Sequence, residues 1–555
     1  MYIDAITIIT NILQETTGRD DIVLIHGGDH ADLASTVAFA IGKEEKTSPA
    51  QVALRIADQI RDAVREKANA TTEVTGPYIN FIFNQKYLAS VLAAAVQDEY
   101  GKCQNKAGTV VLEHTSANPN GPLHVGHIRN TIIGDTLARC FRKAGYNLEV
   151  QYYVNDMGRQ IAIVAWGVEE QKTNIHTDRK GDHLIADVYI KANKDLEADP
   201  SKNAAIDLLM QQVEAGDQKT VTRFREPVKR CLDGFKETLA GLNAHHDRFV
   251  YESDFVKNGD TNRILARISW LPQAKTTDIL SVDLTSFGFE KEYVLRRSDG
   301  TSVYAARDLA YHTWKGRNFG RVIDVLGADH KLIGTQLQAT LHLLGEQKPD
   351  IIFFEFVSLP EGSMSTRKGK FVPADDLLSE ARERALIEVT TRRPELDEAV
   401  RNSIATSVSV AAIRYDIIKT IPEKSTVFNW EEALDFEKQS GPYIQYAHAR
   451  ACSILDKAGD FNHAAEIKTE TEITLLKHIG RFPFIIEEIV QELKPHLLAL
   501  YARELADLFN SFYHADPVLK SQGITRDSRL SLVKATQNTL KEALETLGID
   551  AIRSM

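Results

Sequence analysis

The chain has 555 residues, a formal net charge of −11 and 43% hydrophobic residues, which is ordinary for a globular protein of about three or four domains. The negative charge argues against a protein that coats nucleic acid, although a local basic surface is compatible with it. The four cysteines lie far apart and form no CxxC pair, which argues against disulfides or a zinc site and predicts a reducing, cytoplasmic location. No apolar stretch approaches the roughly 20 residues of a membrane span.

Residues 1–105 predict a small α/β unit. The segment MYIDAITIITNILQE predicts an amphipathic helix rather than a signal peptide, because Asp4 is acidic and no basic residues precede the apolar ones. QVALRIADQIRDAV (51–64) carries a helical apolar stripe, and INFIFN (79–84) predicts a strand. The polar, turn-rich segment 101–109 is the expected linker.

Residues 106–371 predict an open parallel sheet. TVVLEH (109–114) predicts a buried strand, residues 126–146 predict a helix that ends near Gly145, and NLEVQYYV (147–154) predicts the next strand. Strand, helix and strand in this order form a βαβ unit of an open α/β sheet.

Three later segments extend this prediction. RVIDVLG (321–327) and IIFFEFV (351–357) predict further strands of the same sheet. Residues 165–245 are charged and helical, which predicts a helical insertion within the sheet domain. Residues 372–555 show only helical periodicity and predict an all-α C-terminal unit.

The loop ANPNGPLHVGH (117–127) joins a strand end to a helix start, where open α/β sheets bind ligands. The free N–H groups of a helix N-terminus suit phosphate, and Gly126 would let a ligand approach the backbone closely. His124 and His127 stand one turn apart and could stabilise the charge that grows on a phosphoryl group. An isolated HxGH also fits a pair of structural histidines, so the flanking sequence must decide.

The flanking residues supply a resemblance. SANPNGPLHVGHIRNTIIGD (116–135) followed by YVNDMGRQ (153–160) resembles the HIGH region of class I aminoacyl-tRNA synthetases, in the arginyl form. GSMSTRKG (362–369), directly after the last predicted strand, is similar to the KMSKS signature of that class. DFEKQSGPYIQYAHARACSIL (435–455) looks like the start of the anticodon-binding helical domain, and the N-terminal unit is similar to the domain that contacts the tRNA elbow.

The resemblance covers nearly the whole chain and implies its architecture and activity. It implies a Rossmann-like parallel-sheet catalytic domain (106–371) with a helical insertion (165–245), a small N-terminal α/β domain (1–105) and an all-α anticodon-binding bundle (372–555). It implies ligation of L-arginine to the 3′ end of tRNA(Arg) through arginyl-adenylate, with ATP and Mg²⁺ and with tRNA needed for activation. No membrane contact is expected, and the family leans to monomers.

The matching motifs also imply site residues. Those assigned to ATP are Asn120, Gly121, Pro122, His124, Gly126, His127, Gly327 and Asp329, of which His124, Gly126 and His127 are also catalytic. The catalytic residues of the second signature are Met364, Ser365, Arg367 and Lys368. Ser363 and Thr366 stand where lysines are usual, and the neighbouring cations could instead neutralise the pyrophosphate. Those assigned to tRNA are Arg414, Tyr443, Tyr446 and Arg450; no metal ligand is assigned.

A guanidinium substrate requires carboxylates, because planar charged donors pair with planar acceptors. The residues that the resemblance assigns to arginine are Glu113, Asn118, Glu252, Tyr304, Asp308 and His330. Tyr304 and Asp308 are four apart on a predicted helix and should share a face. Several acids around one cleft are unfavourable unless a cationic ligand binds, which favours arginine.

Two other interpretations fit parts of the sequence. Another nucleotidyl transferase could share HxGH, but a small-metabolite enzyme has no use for the C-terminal helical domain. A non-catalytic paralogue that binds RNA should have lost HxGH, the MSTRKG segment or the pocket acids, and all three are present.

Overall fold

The computed structural model describes residues 1–28, 31–298, 300–358 and 372–555, and its N-terminal part is a small α/β unit. Its helices are α1 (Tyr2–Thr17), α2 (Val37–Glu45), α3 (Pro49–Lys67) and α4 (Gln85–Ala95). Its strands β1 (Leu24–His26), β2 (Leu33–Ser35), β3 (Ala70–Thr75) and β4 (Tyr78–Phe83) pair in the antiparallel order β1-β2-β4-β3. The predicted apolar stripe of α3 is buried at Val52, Ile56 and Ile60.

The described residues in the middle of the chain form nine strands and nine α-helices. The strands are β5 (Thr109–Glu113), β6 (Asn147–Val154), β7 (Arg248–Tyr251), β8 (Ala274–Thr276), β9 (Leu280–Val282), β10 (Tyr293–Arg296), β11 (Arg321–Gly327), β12 (Asp350–Phe354) and β13 (Val357–Ser358). The helices are α5 (Val125–Lys143), α6 (Arg159–Glu170), α7 (Gly181–Ala198), α8 (Asn203–Glu214), α9 (Gln218–Gly241), α10 (Glu252–Lys257), α11 (Asp260–Ser269), α12 (Tyr304–Asn318) and α13 (Lys331–Leu343).

The larger sheet is parallel, with the order β12-β11-β5-β6-β7. The chain runs outward from β5 through β6 to β7, and then returns to β11 and β12 on the other side of β5. The order therefore reverses between β5 and β11, and a crevice opens there beyond the carboxyl ends of the strands. The predicted α/β fold class is confirmed, and helices α6 to α9 fill the connection between β6 and β7.

Helix α5 forms one wall of this crevice. Its residues Ile133, Leu137 and Phe141 recur at helical spacing and are buried against the sheet. Gly145 follows the helix end with φ +85°, and a Cβ there would lie 2.1 Å from the carbonyl oxygen of Gln104. Glycine is required at this position because the left-handed backbone and the close contact both exclude a side chain.

The predicted strand 351–357 is in fact two strands, β12 and β13. Between them, the buried guanidinium of Arg129 on α5 donates hydrogen bonds to the carbonyl oxygens of Glu355 (2.7 Å) and Phe356 (3.1 Å). The same guanidinium donates to the carbonyl oxygen of Lys424 at 2.7 Å. The Phe356 carbonyl also accepts from the backbone N–H of Thr426 at 3.2 Å, so the strand is interrupted because the chain leaves its partner β11 after Phe354 and pairs with another segment, Thr426–Val427, from Val357 onward.

The C-terminal part is helical, with one exception. Its helices are α14 (Ala374–Arg392), α15 (Glu398–Ile418), α16 (Trp430–Ala433), α17 (Gly441–Ala458), α18 (Glu470–Gly480), α19 (Phe482–Glu492), α20 (His496–Ala515) and α21 (Gly523–Thr546). The expectation of helices alone is wrong at β14 (Thr426–Val427), which pairs in parallel with β13. Two residues are too few for a periodic sequence signal. Among the described residues, no helix combines the length and the apolarity that crossing a bilayer requires.

Candidate active site

A cleft of about 470 Å³ opens at the crevice between β5 and β11. The predicted residues that line it are Asn118, His124, Gly126, His127, Gly327, Asp329 and His330. Phe354 and Phe356 were not predicted from the sequence, although both belong to the apolar run IIFFEFV, and they add aromatic surface to the wall of the cleft. The cleft thus combines apolar walls with the polar start of a helix, as nucleotide sites do.

The two histidines of HVGH cap helix α5. His124 is the N-cap residue, and its Nδ1 accepts a hydrogen bond from the backbone N–H of Gly126 at 3.1 Å. The Nδ1 of His127 accepts from the backbone N–H of His124 at 3.2 Å, which completes a capping box. The rings stack with centroids 3.6 Å apart. A Cβ on Gly126 would lie 3.0 Å from the His124 ring, so glycine leaves room for this arrangement.

These contacts fix the tautomer and charge of both rings. Because each Nδ1 is an acceptor, the single proton of each neutral imidazole sits on Nε2. Burial, together with the neighbouring His124, lowers the pKa of His127 to about 3, and burial also lowers the pKa of His124. Both rings are therefore neutral N–H donors at pH 7 rather than cations.

The turn after β5 has an unusual backbone. Thr115 and Ser116 have φ values of +69° and +37°, which side chains with a Cβ rarely adopt. Asn130 on α5 holds this turn, since its Oδ1 accepts from the backbone N–H of Thr115 at 2.9 Å. The Ser116 hydroxyl turns back and donates to Glu113 at 2.9 Å. Strained backbone of this kind persists where the surroundings hold it, often at functional sites.

A second cleft, of about 640 Å³, adjoins the first at Asn118, which is exposed and lines both. Tyr304, the first residue of α12, lines this second cleft. Arg159 and Arg307, which the sequence analysis did not select, line it as well. Arg159 lies within the quoted motif YVNDMGRQ, and Arg307 lies between the predicted residues Tyr304 and Asp308, so the signal was present in the sequence.

Not every predicted residue lies where it was expected. His330, which was assigned to arginine at the edge of the nucleotide site, does line the first cleft with the histidines of HVGH, and its Nδ1 lies 3.1 Å from Asp329. The residues that line the two described clefts include neither the predicted ATP residues Asn120, Gly121 and Pro122 nor the predicted acids Glu113, Glu252 and Asp308. Gly121 instead faces Ala186 of α7, where an added Cβ would lie 3.4 Å from the alanine methyl group.

The pocket acids already have cations within the protein. Glu252 is buried and accepts from the Nε of Arg307 at 2.6 Å, and burial raises its pKa while Arg307 opposes the rise. Glu113 accepts from Lys315 at 2.8 Å, and Asp308 lies 2.9 Å from the Nδ1 of His312. The expectation that these acids lack partners until a ligand binds is therefore wrong, because each has a cationic neighbour.

Two clusters of histidine and acids have the spacing of metal ligands, and neither suits a metal. The first is Glu113, His312 and Asp324; the second is Asp182, His183 and Asp375. In the first, the ammonium of Lys315 lies 2.8 and 2.6 Å from the two carboxylates. In the second, the ammonium of Lys180 lies 3.1 and 2.5 Å from the two carboxylates. In both clusters a lysine ammonium group therefore occupies the position that a metal ion would need.

The predicted residues Met364, Ser365, Arg367 and Lys368 lie outside the described residues. In the helical part, Arg450 lies over the ring of Tyr446 at 4.8 Å, and Tyr446 is 39% exposed. Tyr443 is mostly buried, and its hydroxyl donates to Asp507 at 2.7 Å. Arg450 is half-buried, donates to Asn510 and also lies over the ring of Tyr513 at 5.5 Å, so its guanidinium already has partners in the protein.

Arg414 is misplaced as a tRNA-binding residue. Its side chain is fully buried, and its guanidinium donates to Asp135 at 2.6 Å and to the carbonyl oxygens of Leu547 (2.6 Å) and Leu242 (2.8 Å). These hydrogen bonds join α15 to α5 and to the turn after α21. Arg414 is therefore a structural residue, because no part of its side chain reaches the surface.

Replacing Arg414 with methionine is expected to lower the free energy of unfolding by about 3 kcal/mol, because Asp135 and two carbonyls lose a buried donor. The folded variant should keep its affinity for tRNA. Urea unfolding and a tRNA titration measure the two quantities. Arg450→Met is the comparison: the predicted tRNA role of Arg450 requires it to weaken tRNA binding, and it should destabilise the chain less than Arg414→Met because Arg450 is only half-buried. Weaker tRNA binding by Arg414→Met at unchanged stability would restore the original assignment.

Three family models match the chain. The model described as "Arginyl tRNA synthetase N terminal domain" matches residues 5–83. The model described as "tRNA synthetases class I (R), catalytic domain" matches residues 88–430, and the "DALR anticodon binding domain" matches residues 444–555.

Individual relatives agree with these matches. Proteins called "Arginine--tRNA ligase" from Methanospirillum hungatei and Methanoregula boonei are 67% and 62% identical, and each match covers 100% of both chains. The solved structure of the Thermus thermophilus arginyl-tRNA synthetase matches with a TM-score of 0.87 at 30% identity, covering 99% of each chain.

Proposed function

Because the chain belongs to the arginyl-tRNA synthetase family and joins arginine to tRNA, we propose that its two adjoining clefts divide the substrates between them. The cleft at the HVGH helix holds ATP, and the cleft at Tyr304 holds L-arginine. The observation that supports this division best is the position of Asn118, the residue that lines both clefts. A carboxylate held there would meet the α-phosphate of ATP.

In the first step the arginine carboxylate attacks the α-phosphate, arginyl-adenylate forms and pyrophosphate leaves. The Nε2–H groups of His124 and His127 donate to phosphate oxygens whose charge rises in the transition state. Because both rings are neutral, they stabilise this charge without attracting the arginine carboxylate into an ion pair. In the second step the terminal ribose hydroxyl of tRNA attacks the arginyl carbonyl, and AMP leaves.

Arginine is selected by its guanidinium. We propose that Asp308 pairs with this group and that Tyr304, which is 53% exposed, covers its face or its aliphatic stem. Glu252 acts indirectly, because its carboxylate holds Arg307 at the cleft wall. Glu113 is likewise indirect, since Lys315 and Ser116 occupy its oxygens.

Several assignments rest on the family alone. Met364, Ser365, Arg367 and Lys368 are proposed to neutralise pyrophosphate, and Tyr446 and Arg450 to contact the anticodon loop. The domains are proposed as 1–105, 106–371 and 372–555, and the chain as a cytoplasmic monomer. The proposed Mg²⁺ would offset phosphate charge, and Asp329 is the acid in the described lining of the nucleotide cleft that could hold it.

A charging assay with each of the twenty standard amino acids, and with citrulline, tests the proposed specificity. Unfractionated tRNA from the source organism serves as acceptor, and the charged product is identified after periodate protection of the aminoacylated 3′ end. We expect arginine alone to be attached, and only to arginine tRNAs. A parallel pyrophosphate-exchange assay with and without tRNA shows whether activation requires tRNA. Better charging with lysine or citrulline would contradict the assignment of the guanidinium site.

A further inference from the structure

A row of alternating charges begins at Asp308, the proposed partner of the guanidinium. On α12, the Nδ1 of His312 lies 2.9 Å from both the Oδ1 and the backbone oxygen of Asp308. The Nε2 of His312 lies 2.8 Å from Oδ2 of Asp324 on β11. The Nζ of Lys315 donates to Oδ1 of Asp324 at 2.6 Å and to Glu113 on β5 at 2.8 Å. The row therefore connects Asp308 to Glu113 across three elements.

The contacts of His312 require a proton on both ring nitrogens. Nδ1 faces a backbone carbonyl and a carboxylate, and Nε2 faces a second carboxylate, so both nitrogens must donate. Burial and Lys315 oppose the protonated form. The carboxylates of Asp308 and Asp324 outweigh them and raise the pKa of His312 to about 10. Burial also opposes the ionised form of Asp324, but Lys315 and His312 hold its pKa well below the ordinary value.

Other charged and titratable groups also lie on the elements packed around α12. Arg307 pairs with Glu252 on α10 at 2.6 Å and lies 3.5 Å from Glu214 on α8, so this neighbouring group of two acids and one cation carries one negative charge of its own. Burial raises the pKa values of Tyr293 on β10 and Tyr311 on α12 well above the ordinary value, so both phenols are neutral. The Tyr311 hydroxyl donates to Gln151 on β6.

The row therefore holds three carboxylates and two cations, which leaves one negative charge. Asp308 has 27% of its side chain exposed, whereas the other four side chains are at most 8% exposed. The uncompensated charge is consequently accessible at Asp308, where a monovalent guanidinium would complete the alternation. A neutral side chain such as that of citrulline would leave the charge unpaired.

We infer that His312 is a positioning residue for arginine recognition, which fixes the Asp308 carboxylate and, with Lys315, leaves a single negative charge for the guanidinium. This inference rests on the proposed placement of arginine beside Asp308 and Tyr304. A merely structural His312 would affect folding alone, whereas a positioning role predicts a selective effect on arginine.

The test is His312→Gln, with His478→Gln as the matched control. His478 is also buried and hydrogen-bonded, but it lies on α18 and bonds to the carbonyl oxygen of Tyr501. In His312→Gln we expect KM for arginine to rise by at least about tenfold and KM for ATP to change by less than about twofold. The control should leave both values within about twofold. An unchanged KM for arginine in folded His312→Gln overturns the inference.

A measurement on the unaltered chain covers the case in which the variant does not fold. With ¹⁵N-labelled histidine at about pH 8.5, ordinary histidines are neutral, so an imidazolium signal that persists identifies His312. We expect that signal to be present and to shift on saturation with arginine. Its absence, or its insensitivity to arginine, overturns the inference. If the unaltered chain does not charge arginine at all, it is the proposed function that fails.

Discussion

Replacing His127 with asparagine is expected to lower the rate of arginyl-adenylate formation by about 10²–10³, the usual cost of removing one donor from a transition-state oxyanion. The Oδ1 of asparagine can take the place of the imidazole Nδ1, which accepts from the backbone N–H of His124. The helix cap is therefore kept, while the Nε2–H donor is lost. Single-turnover formation of arginyl-adenylate, with tRNA present, measures the rate.

His127→Gln is the complementary variant. Its side-chain amide reaches about as far as Nε2, so it keeps a donor near the phosphate but loses the contact with the backbone N–H of His124. It should retain more activity than His127→Asn and lose more helix stability, by about 1 kcal/mol. The reverse order, or a folded His127→Asn within about tenfold of the parent rate, would show that His127 serves the helix cap alone.

Replacing Asp308 with asparagine is expected to lower kcat/KM for arginine by about 10³, because removing one partner of a desolvated charge pair costs about 2–5 kcal/mol. The amide retains the shape of the side chain but turns one acceptor into a donor facing the guanidinium. It also removes one of the two carboxylates beside the protonated His312. KM for ATP should change by less than about twofold, because Asp308 is not among the residues that line the nucleotide cleft.

Competition between arginine and citrulline tests the same role of Asp308. The parent chain should prefer arginine strongly, and Asp308→Asn should reduce the preference because the variant lacks the charge that rejects a neutral side chain. Asp350→Asn is the control, because Asp350 pairs with Arg321 at the exposed start of β12. This variant should alter neither kcat/KM for arginine nor the preference for arginine over citrulline. An unchanged preference in folded Asp308→Asn would place the guanidinium elsewhere.

The parts of the fold that were predicted well carry long, regular patterns. Strands β6 and β11 begin and end at the predicted residues, and α5 shows its apolar stripe and its terminal glycine. The antiparallel sheet β8 to β10 was missed because its strands have only three or four residues, too few to show an alternation.

The errors at the site arose because the residues that pair there lie far apart in the sequence. Arg414 looked like a surface cation because Asp135, the acid that it meets, lies 279 positions away. Glu113 looked unpaired because Lys315 lies 202 positions away. Only the Asp308 and His312 pair, four residues apart on one helix, could have been read from the sequence. Sequence motifs located the clefts, but the internal neutralisation of the acids appeared only with the tertiary structure.

The central claim is that ATP and arginine occupy adjoining clefts that meet at Asn118. A crystal structure with a non-hydrolysable arginyl-adenylate analogue tests it most directly. The claim predicts the phosphate isostere beside the Nε2 atoms of His124 and His127, the adenosine against Gly327, and the guanidinium on Asp308. An analogue bound in the opposite orientation, or with its guanidinium away from Asp308, would contradict the claim.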